Sequence, residues 1–290
     1  MAELTVPRAP SPGWRCYVAL GDSFTEGLCD PAAEGSPHPW YGWADRVAQR
    51  LADRAAVAEV PFTYANLAVR GRLLRHIVDE QLPRALEWGA DLVSIIGGGN
   101  DVLRPGVDVD QVTQLLDEAV GRLVAAGVTV VLSTSYDPRQ APIVRRTRGL
   151  AGIFAANVWS IGRRHGVIVL DLWGMGVLQD RRMWAEDRIH LTAEGHRRVA
   201  AQALDLLGVG GDEGWAVPPS PGPVPSRREA WVQDAAWVRD HAVPWVRRRV
   251  RGRSSGDGLV PKRPTPEPLT PSRPGPGVPA VLDGPPDGEG

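Results

Sequence analysis

Lysine is almost missing from this chain: Lys262 is the only one among 33 basic residues. That points to a compositional bias toward arginine, so no single arginine gains functional weight. A surplus of one charge is missing too. The formal net charge over 290 residues is -1, without the basic excess that nonspecific nucleic-acid binding draws on, which argues against a general DNA- or RNA-binding protein. Cysteine is scarce. Cys16 and Cys29 alone build neither a disulfide framework nor a four-ligand zinc site, and each reads as a small apolar residue. No apolar run approaches the roughly 18 residues that a membrane-spanning helix needs. The residues before Cys16 show neither the charged nor the apolar region of a secretory signal. The expected location is the cytoplasm.

Glycine and proline are present but unevenly spread. They make up 16% of residues 1–210 and 34% of residues 211–290, the latter above the roughly 25–30% that marks low-complexity sequence. The expected organisation is an N-terminal extension (1–15), a globular body (16–210), a proline-rich linker (211–226), a helical segment (227–251) and a disordered tail (252–290). With 43% hydrophobic residues overall, the body has enough apolar surface for a sizeable core.

Within the body, short apolar runs alternate with longer amphipathic ones, the pattern of βα units around a parallel sheet. Strands are predicted at 17–20, 62–66, 92–96, 129–132 and 167–170. Helices are predicted at 43–54, 73–88, 109–126, 149–165 and 193–207, where apolar residues recur at three and four. Right-handed crossovers then give a doubly wound three-layer sheet, whose ligands bind beyond the carboxyl ends of the strands.

The polar oddities fall at those ends. After the first strand, Gly21-Asp22-Ser23-Phe24-Thr25-Glu26-Gly27 puts a serine on a strand-to-helix turn, which holds its hydroxyl and backbone N–H at the sheet edge. After the second, Asn66-Leu67-Ala68-Val69-Arg70-Gly71 ends in a glycine that lets a substrate approach the backbone. After the third, Gly97-Gly98-Gly99-Asn100-Asp101 clears side chains away and leaves the Asn100 amide as a donor. After the fifth comes Asp187-Arg188-Ile189-His190. A serine hydroxyl needs a base near neutrality to become a nucleophile, histidine is that base, and an aspartate can fix its tautomer. His196 lacks a metal-ligand pattern. Asp101 reads as loop support or a solvated cap. Trp43 reads as core packing, and the loop 30–39 as a possible wall of a pocket.

Together these motifs resemble the SGNH, or GDSL, serine hydrolases: Ser23 in GDSFTEG, Gly71 in NLAVRG, Asn100 in GGND, and Asp187 with His190 in DRIH. Phe24 stands where the family name has leucine, a position expected to face the core. The resemblance implies a flavodoxin-like α/β/α domain that hydrolyses small-molecule esters without a cofactor or metal. It further implies Ser23, Asp187 and His190 as catalytic residues, and an oxyanion hole of the Ser23 and Gly71 N–H groups with the Asn100 side chain. An acyltransferase using the same acyl-enzyme is an alternative. A phosphate- or flavin-binding module is another, but it gives Asn100 and the Asp187–His190 pair no task.

In the tail, Trp231, Ala235, Val238, Ala242 and Trp245 recur at three and four, so segment 227–251 is predicted to form one amphipathic helix, strained near Pro244. Residues 227–253 carry a local charge of +5. A helix packed on the body, gating or shielding the site, is the favoured reading; contact with a membrane surface is the other.

Overall fold

Each of the five apolar runs forms a parallel strand: β1 (Cys16–Gly21), β2 (Thr63–Asn66), β3 (Leu92–Ile96), β4 (Thr129–Ser133) and β5 (Ile168–Leu170). The computed structural model describes residues 13–141, 144–210, 212–220, 226–244, 247 and 254–272; the remainder of the predicted N-terminal extension, linker, helical segment and tail lies outside the described residues. All five residues of β3 are buried, as a strand covered on both faces requires. Alternation sorts them: Leu92 and Ile96 pack with Trp43, Val47 and Leu51 of α2 (Trp43–Val57) on one face, while Val93 and Ile95 pack with Leu116, Val120 and Leu123 on the other. That second face is covered by α6 (Val109–Ala125) and α7 (Arg148–His165), and the first also by α8 (Ala193–Leu206). Two short helices, α1 (Ser23–Glu26) and α5 (Gly99–Val102), follow β1 and β3.

The predicted helix 73–88 is interrupted. It runs as α3 (Leu74–His76), a π-helical turn (Ile77–Gln81) and α4 (Leu82–Glu87). Pro83 supplies the reason: its ring clashes with the carbonyl four residues back and it donates no hydrogen bond, which the wider turn absorbs. The tail repeats the solution, with α9 (Arg227–Trp237) passing into a π turn (Val238–Ala242) just before Pro244.

The sheet order is β5-β4-β3-β1-β2-β6, and its sixth member corrects the expectation of disorder beyond Gly252. Strand β6 (Arg263–Pro268) pairs antiparallel with β2. Composition misled here because its prolines, Pro264, Pro266 and Pro268, fall at every second position. They strip N–H donors from one side only, which an edge strand tolerates toward its open side.

The strand is pinned by the chain's only lysine. The Lys262 ammonium, buried, donates to the carbonyls of Glu26 (2.7 Å) and Tyr41 (2.6 Å) and to Asp45 Oδ2 (2.5 Å). Both side chains of the ion pair are under a tenth exposed. Burial pushes the Asp45 carboxyl up to about 6 despite Lys262 beside it, and burial draws the Lys262 ammonium down. Gln49 and Asp53 on α2 hold the following residues, through the Thr270 carbonyl and the Ser272 N–H.

Helix α9 packs on the body, but not by the predicted stripe. Trp231 and Val238 are exposed, whereas Trp237 is buried; the Trp245 side chain lies outside the described residues. The anchor is polar as well as apolar, since the Trp237 indole donates to the Asp187 carbonyl (2.9 Å), lies under the Arg188 guanidinium (5.0 Å to the ring), and has Asp234 paired with Arg188 (2.6 Å) as its neighbour. Among the described residues no helix is long and apolar enough to cross a membrane.

Removing one partner of a buried ion pair costs about 3–5 kcal/mol because the other charge is stranded. Lys262→Met is therefore expected to lower stability by that order at pH 8. The loss should shrink at pH 5: a carboxyl whose folded pKa is raised favours the folded state below its unfolded pKa, and that advantage fades as pH climbs through about 6. Urea unfolding at the two pH values checks this, and equal losses would contradict the assigned pairing.

Candidate active site

Strand β1 ends at Gly21, whose φ is +158°. A Cβ there would sit 2.5 Å from the Ile96 carbonyl and 2.6 Å from Thr25 Oγ1, so the sharp turn into α1 depends on glycine. Gln81, from the π turn, clamps the same residue, accepting from its N–H (2.8 Å) and donating to its carbonyl (3.0 Å). Asp22 then caps α1 by accepting from the Phe24 N–H (3.1 Å), and Ser23 is the first residue of that helix. Phe24 is buried in the core below.

His190 arrives from a loop that closes on itself. The bridge Trp184–Leu191 and the bond from the Ala185 N–H to the His190 carbonyl (2.8 Å) form its neck, and Thr192 caps α8 beyond it by accepting from the Gly195 N–H (3.3 Å). Within the loop, Asp187 Oδ1 accepts the N–H groups of Ile189 and His190, each at 3.0 Å. Arg188 takes the left-handed region, φ +58°, which turns the chain back. Asp187 Oδ2 lies 2.5 Å from His190 Nδ1, and His190 Nε2 lies 2.9 Å from Ser23 Oγ. With Nδ1 donating to the carboxylate, Nε2 is left to accept the serine proton. Burial acts to raise the Asp187 carboxyl, but the His190 bond and charge, together with the two backbone N–H groups, outweigh it and hold it at about 2.

Asn100 lies two residues after Gly98, which has φ +91° and leaves no room for a Cβ beside the Phe154 ring. Its amide donates to Asp22 Oδ2 (2.9 Å) and to the Arg72 carbonyl (3.1 Å). Burial pushes the Asp22 carboxyl up to about 6 against the Phe24 N–H, His190 and Asn100, which pull it down. Gly71, φ +74°, lies between two tethered neighbours. Arg70 is held by Glu26 of the first motif, through its backbone N–H (2.8 Å) and its guanidinium (3.0 Å), and Arg72 is held through Asn100. On its outer side the tail closes in, since a Cβ on Gly71 would collide with Ser254 Oγ and one on Gly256 with the Arg70 carbonyl. Asp101 supports the same region by accepting from the Leu74 N–H (2.9 Å).

Ser23, Asp187 and His190 thus form one hydrogen-bonded chain, Asn100 is tied to the residue before Ser23, and Gly71 is joined to them through its neighbours. Sequence reasoning did not single out Asp22, which both caps α1 and aims Asn100. Nor did it foresee Cys29, whose Sγ lies 3.9 Å from Asp187 Oδ2. Cys29, Asp187 and His190 present possible ligand atoms within 4.8 Å of one another. Asp187 and His190 already bind each other, and burial, with Asp187 beside it, pushes the Cys29 thiol up to about 11, away from the thiolate that a metal binds. His196 is buried, with Nε2 3.4 Å from the Leu28 carbonyl, and burial draws it down to about 4.

A cavity of about 120 Å³ opens beside Ser23 and His190. Its apolar wall is made by Ile96, Val102, Leu103, Val144, Ala151 and Leu172. The loop 30–39, considered as a wall from its sequence, does not line it; β3, α5 and α7 and the stretch after β4 supply the wall instead. Tyr136 closes one side, its phenol pushed up by burial and then by the charges of Asp187 and Asp22.

Residues 19–198 match the family model described as GDSL-like lipase/acylhydrolase. No curated protein matches the chain. Among solved structures, the chain is similar to an acetyl xylan esterase from Geobacillus stearothermophilus, at 22% identity and a TM-score of 0.56, over 69% of this chain and 97% of that one. An α/β hydrolase from the metagenome of Lake Arreo, Spain, aligns at 22% identity and a TM-score of 0.54, over 68% of this chain and 97% of that one. A psychrotrophic esterase from Pseudoalteromonas sp. aligns at 16% identity and a TM-score of 0.51, over 67% of this chain and 97% of that one. At such identities the likeness concerns the fold. The family match spans well over half of the sequence, and this chain belongs to the GDSL-like lipase/acylhydrolase family of ester hydrolases.

Proposed function

We propose that the protein cleaves carboxylic esters through an acyl-enzyme on Ser23. The observation that supports this most is the unbroken chain from Ser23 Oγ to His190 Nε2 (2.9 Å) and from His190 Nδ1 to Asp187 (2.5 Å). Ser23 attacks the acyl carbonyl while His190 takes its proton and passes it to the leaving alcohol. Asp187 fixes the ring and stabilises the imidazolium. Water, activated by the same imidazole, then releases the acid.

The oxyanion is met by the Ser23 and Gly71 N–H groups and the Asn100 amide. Since that amide donates to Asp22 and Arg72, its turn to the oxyanion exchanges the longer of these bonds, to the Arg72 carbonyl, for a charge-assisted one. Asp22 keeps the amide from rotating. The apolar cavity beside Ser23 suits the acyl group and favours a chain of several carbons over acetate.

Ser23→Ala is expected to abolish turnover of p-nitrophenyl esters above the residual level, and labelling of the protein by a fluorophosphonate with it; persistent labelling would exclude Ser23 as nucleophile. Asn100→Ala should lower kcat about a hundred- to a thousand-fold with KM little changed, the loss of one oxyanion donor. Burial of each methylene is worth about 0.8 kcal/mol, so along a p-nitrophenyl series from acetate to palmitate kcat/KM should rise about fourfold per carbon until the cavity is filled. A maximum at acetate would overturn the acyl-chain assignment. Product analysis with added alcohols separates hydrolysis from acyl transfer.

A further inference from the structure

A second cavity, of about 180 Å³, adjoins the first and shares Tyr136 and Pro138 with it. Alongside Leu178 and Trp184 it presents arginine side chains, which the first cavity lacks. Arg181, Arg188, Gln140, Gln179 and Asp137 line it. Asp137 is ionised, its carboxyl held below the usual carboxylate range by Arg148 at 2.6 and 3.0 Å, and the same guanidinium offsets its charge.

The two arginines of the wall are unequal and incompletely satisfied. Arg181, at the exposed rim, donates through Nη1 to the carbonyls of Trp184 (2.7 Å) and Ala185 (3.0 Å). Partial burial, and after it the charge of Arg188, lowers the affinity of its guanidinium for a proton; the two cations press on each other. Arg188 is deeper, with Nη1 on Asp234 (2.6 Å), and its Nε is buried with no hydrogen-bond partner among the described residues. The nearby carboxylates are committed, Asp187 to His190 and Asp234 to Arg188, and Glu186 faces solvent. An anion in this cavity would relieve the repulsion between the two guanidiniums that line it.

Position says which part of a substrate arrives there. His190 lines the apolar cavity and Arg188, two residues before it, lines the polar one. With the acyl chain in the apolar cavity, the leaving alcohol must stay beside His190 to receive its proton, and the polar cavity lies next to it across Tyr136.

We propose that the second cavity is the subsite for the alcohol half of the ester, and that it selects alcohols carrying a carboxylate or phosphate. The proposal rests on the ester-cleaving reading above. It predicts that butyrate esters of 4-hydroxybenzoate and of glycerol 3-phosphate are cleaved with kcat/KM at least tenfold above the butyrates of 4-hydroxybenzamide and glycerol. The advantage should lie in KM and shrink in 0.5 M NaCl. Preference for one anionic ester over the other tells whether the subsite is built for carboxylate or phosphate. Arg181→Met and Arg188→Met should each bring the anionic-to-neutral ratio toward one.

A wild-type ratio of one or below overturns the subsite while leaving the hydrolase reading intact. Failure on every ester would count against the hydrolase reading, and for that case binding is measured without turnover. On the full-length Ser23→Ala protein, calorimetry should show 4-hydroxybenzoate bound at least tenfold more tightly than 4-hydroxybenzamide, and equal affinities overturn the subsite whatever the kinetics show.

Discussion

A hydroxyl near the start of the fold and an imidazole 167 residues later meet at 2.9 Å, and the arrangement of the site depends on that contact. Parallel strands supply the coarse part of it by bringing the ends of β1 and β3 to one edge, at the point where the strand order reverses. The fine part is local and polar. Asp187 spends one carboxylate oxygen on two backbone N–H groups and the other on the imidazole, so one side chain both folds the loop and orients the ring. Asp22 is its counterpart across the site, spending one oxygen on the cap of α1 and the other on the Asn100 amide. Two carboxylates with divided duties hold Ser23, His190 and Asn100 in register.

The residues that follow the body reinforce the same loops from outside. Trp237 holds the Asp187 carbonyl, Ser254 and Gly256 press on the Arg70–Gly71 turn, and Lys262 reaches the Glu26 carbonyl at the end of α1. The family match ends at residue 198, before any of these contacts. In this chain three loops that the fold brings to the sheet edge are each braced by a separate point of the C-terminal segment. The bracing is uneven in kind: an indole N–H at one loop, close backbone packing at the second, and a buried ammonium at the third.

Much of this was legible in the sequence, and the parts that were not share a cause. The five parallel strands could be read from short apolar runs because burial on both faces leaves no alternative pattern. The order of Ser23, Gly71, Asn100, Asp187 and His190 could be read because each follows a strand. What escaped was set by tertiary partners. Pro264, Pro266 and Pro268 read as disorder until β2 offers them an edge. Trp237 lies outside the predicted Trp231 stripe, and only the Asp187 carbonyl shows where its indole finds an acceptor. Tyr136 and Arg188 carry no motif, and only the packing of the loops after β4 and β5 reveals that they divide and line two unlike cavities. The π turns before Pro83 and Pro244 were visible only as prolines inside otherwise helical stretches.

The pairing of Lys262 with Asp45 also has a consequence for how the molecule is made. The partners are 217 positions apart, so α2 and the turn around Ser23 emerge from the ribosome long before the cation that will sit between them. The carbonyls of Glu26 and Tyr41 receive the Lys262 donor only once that distant segment has been made.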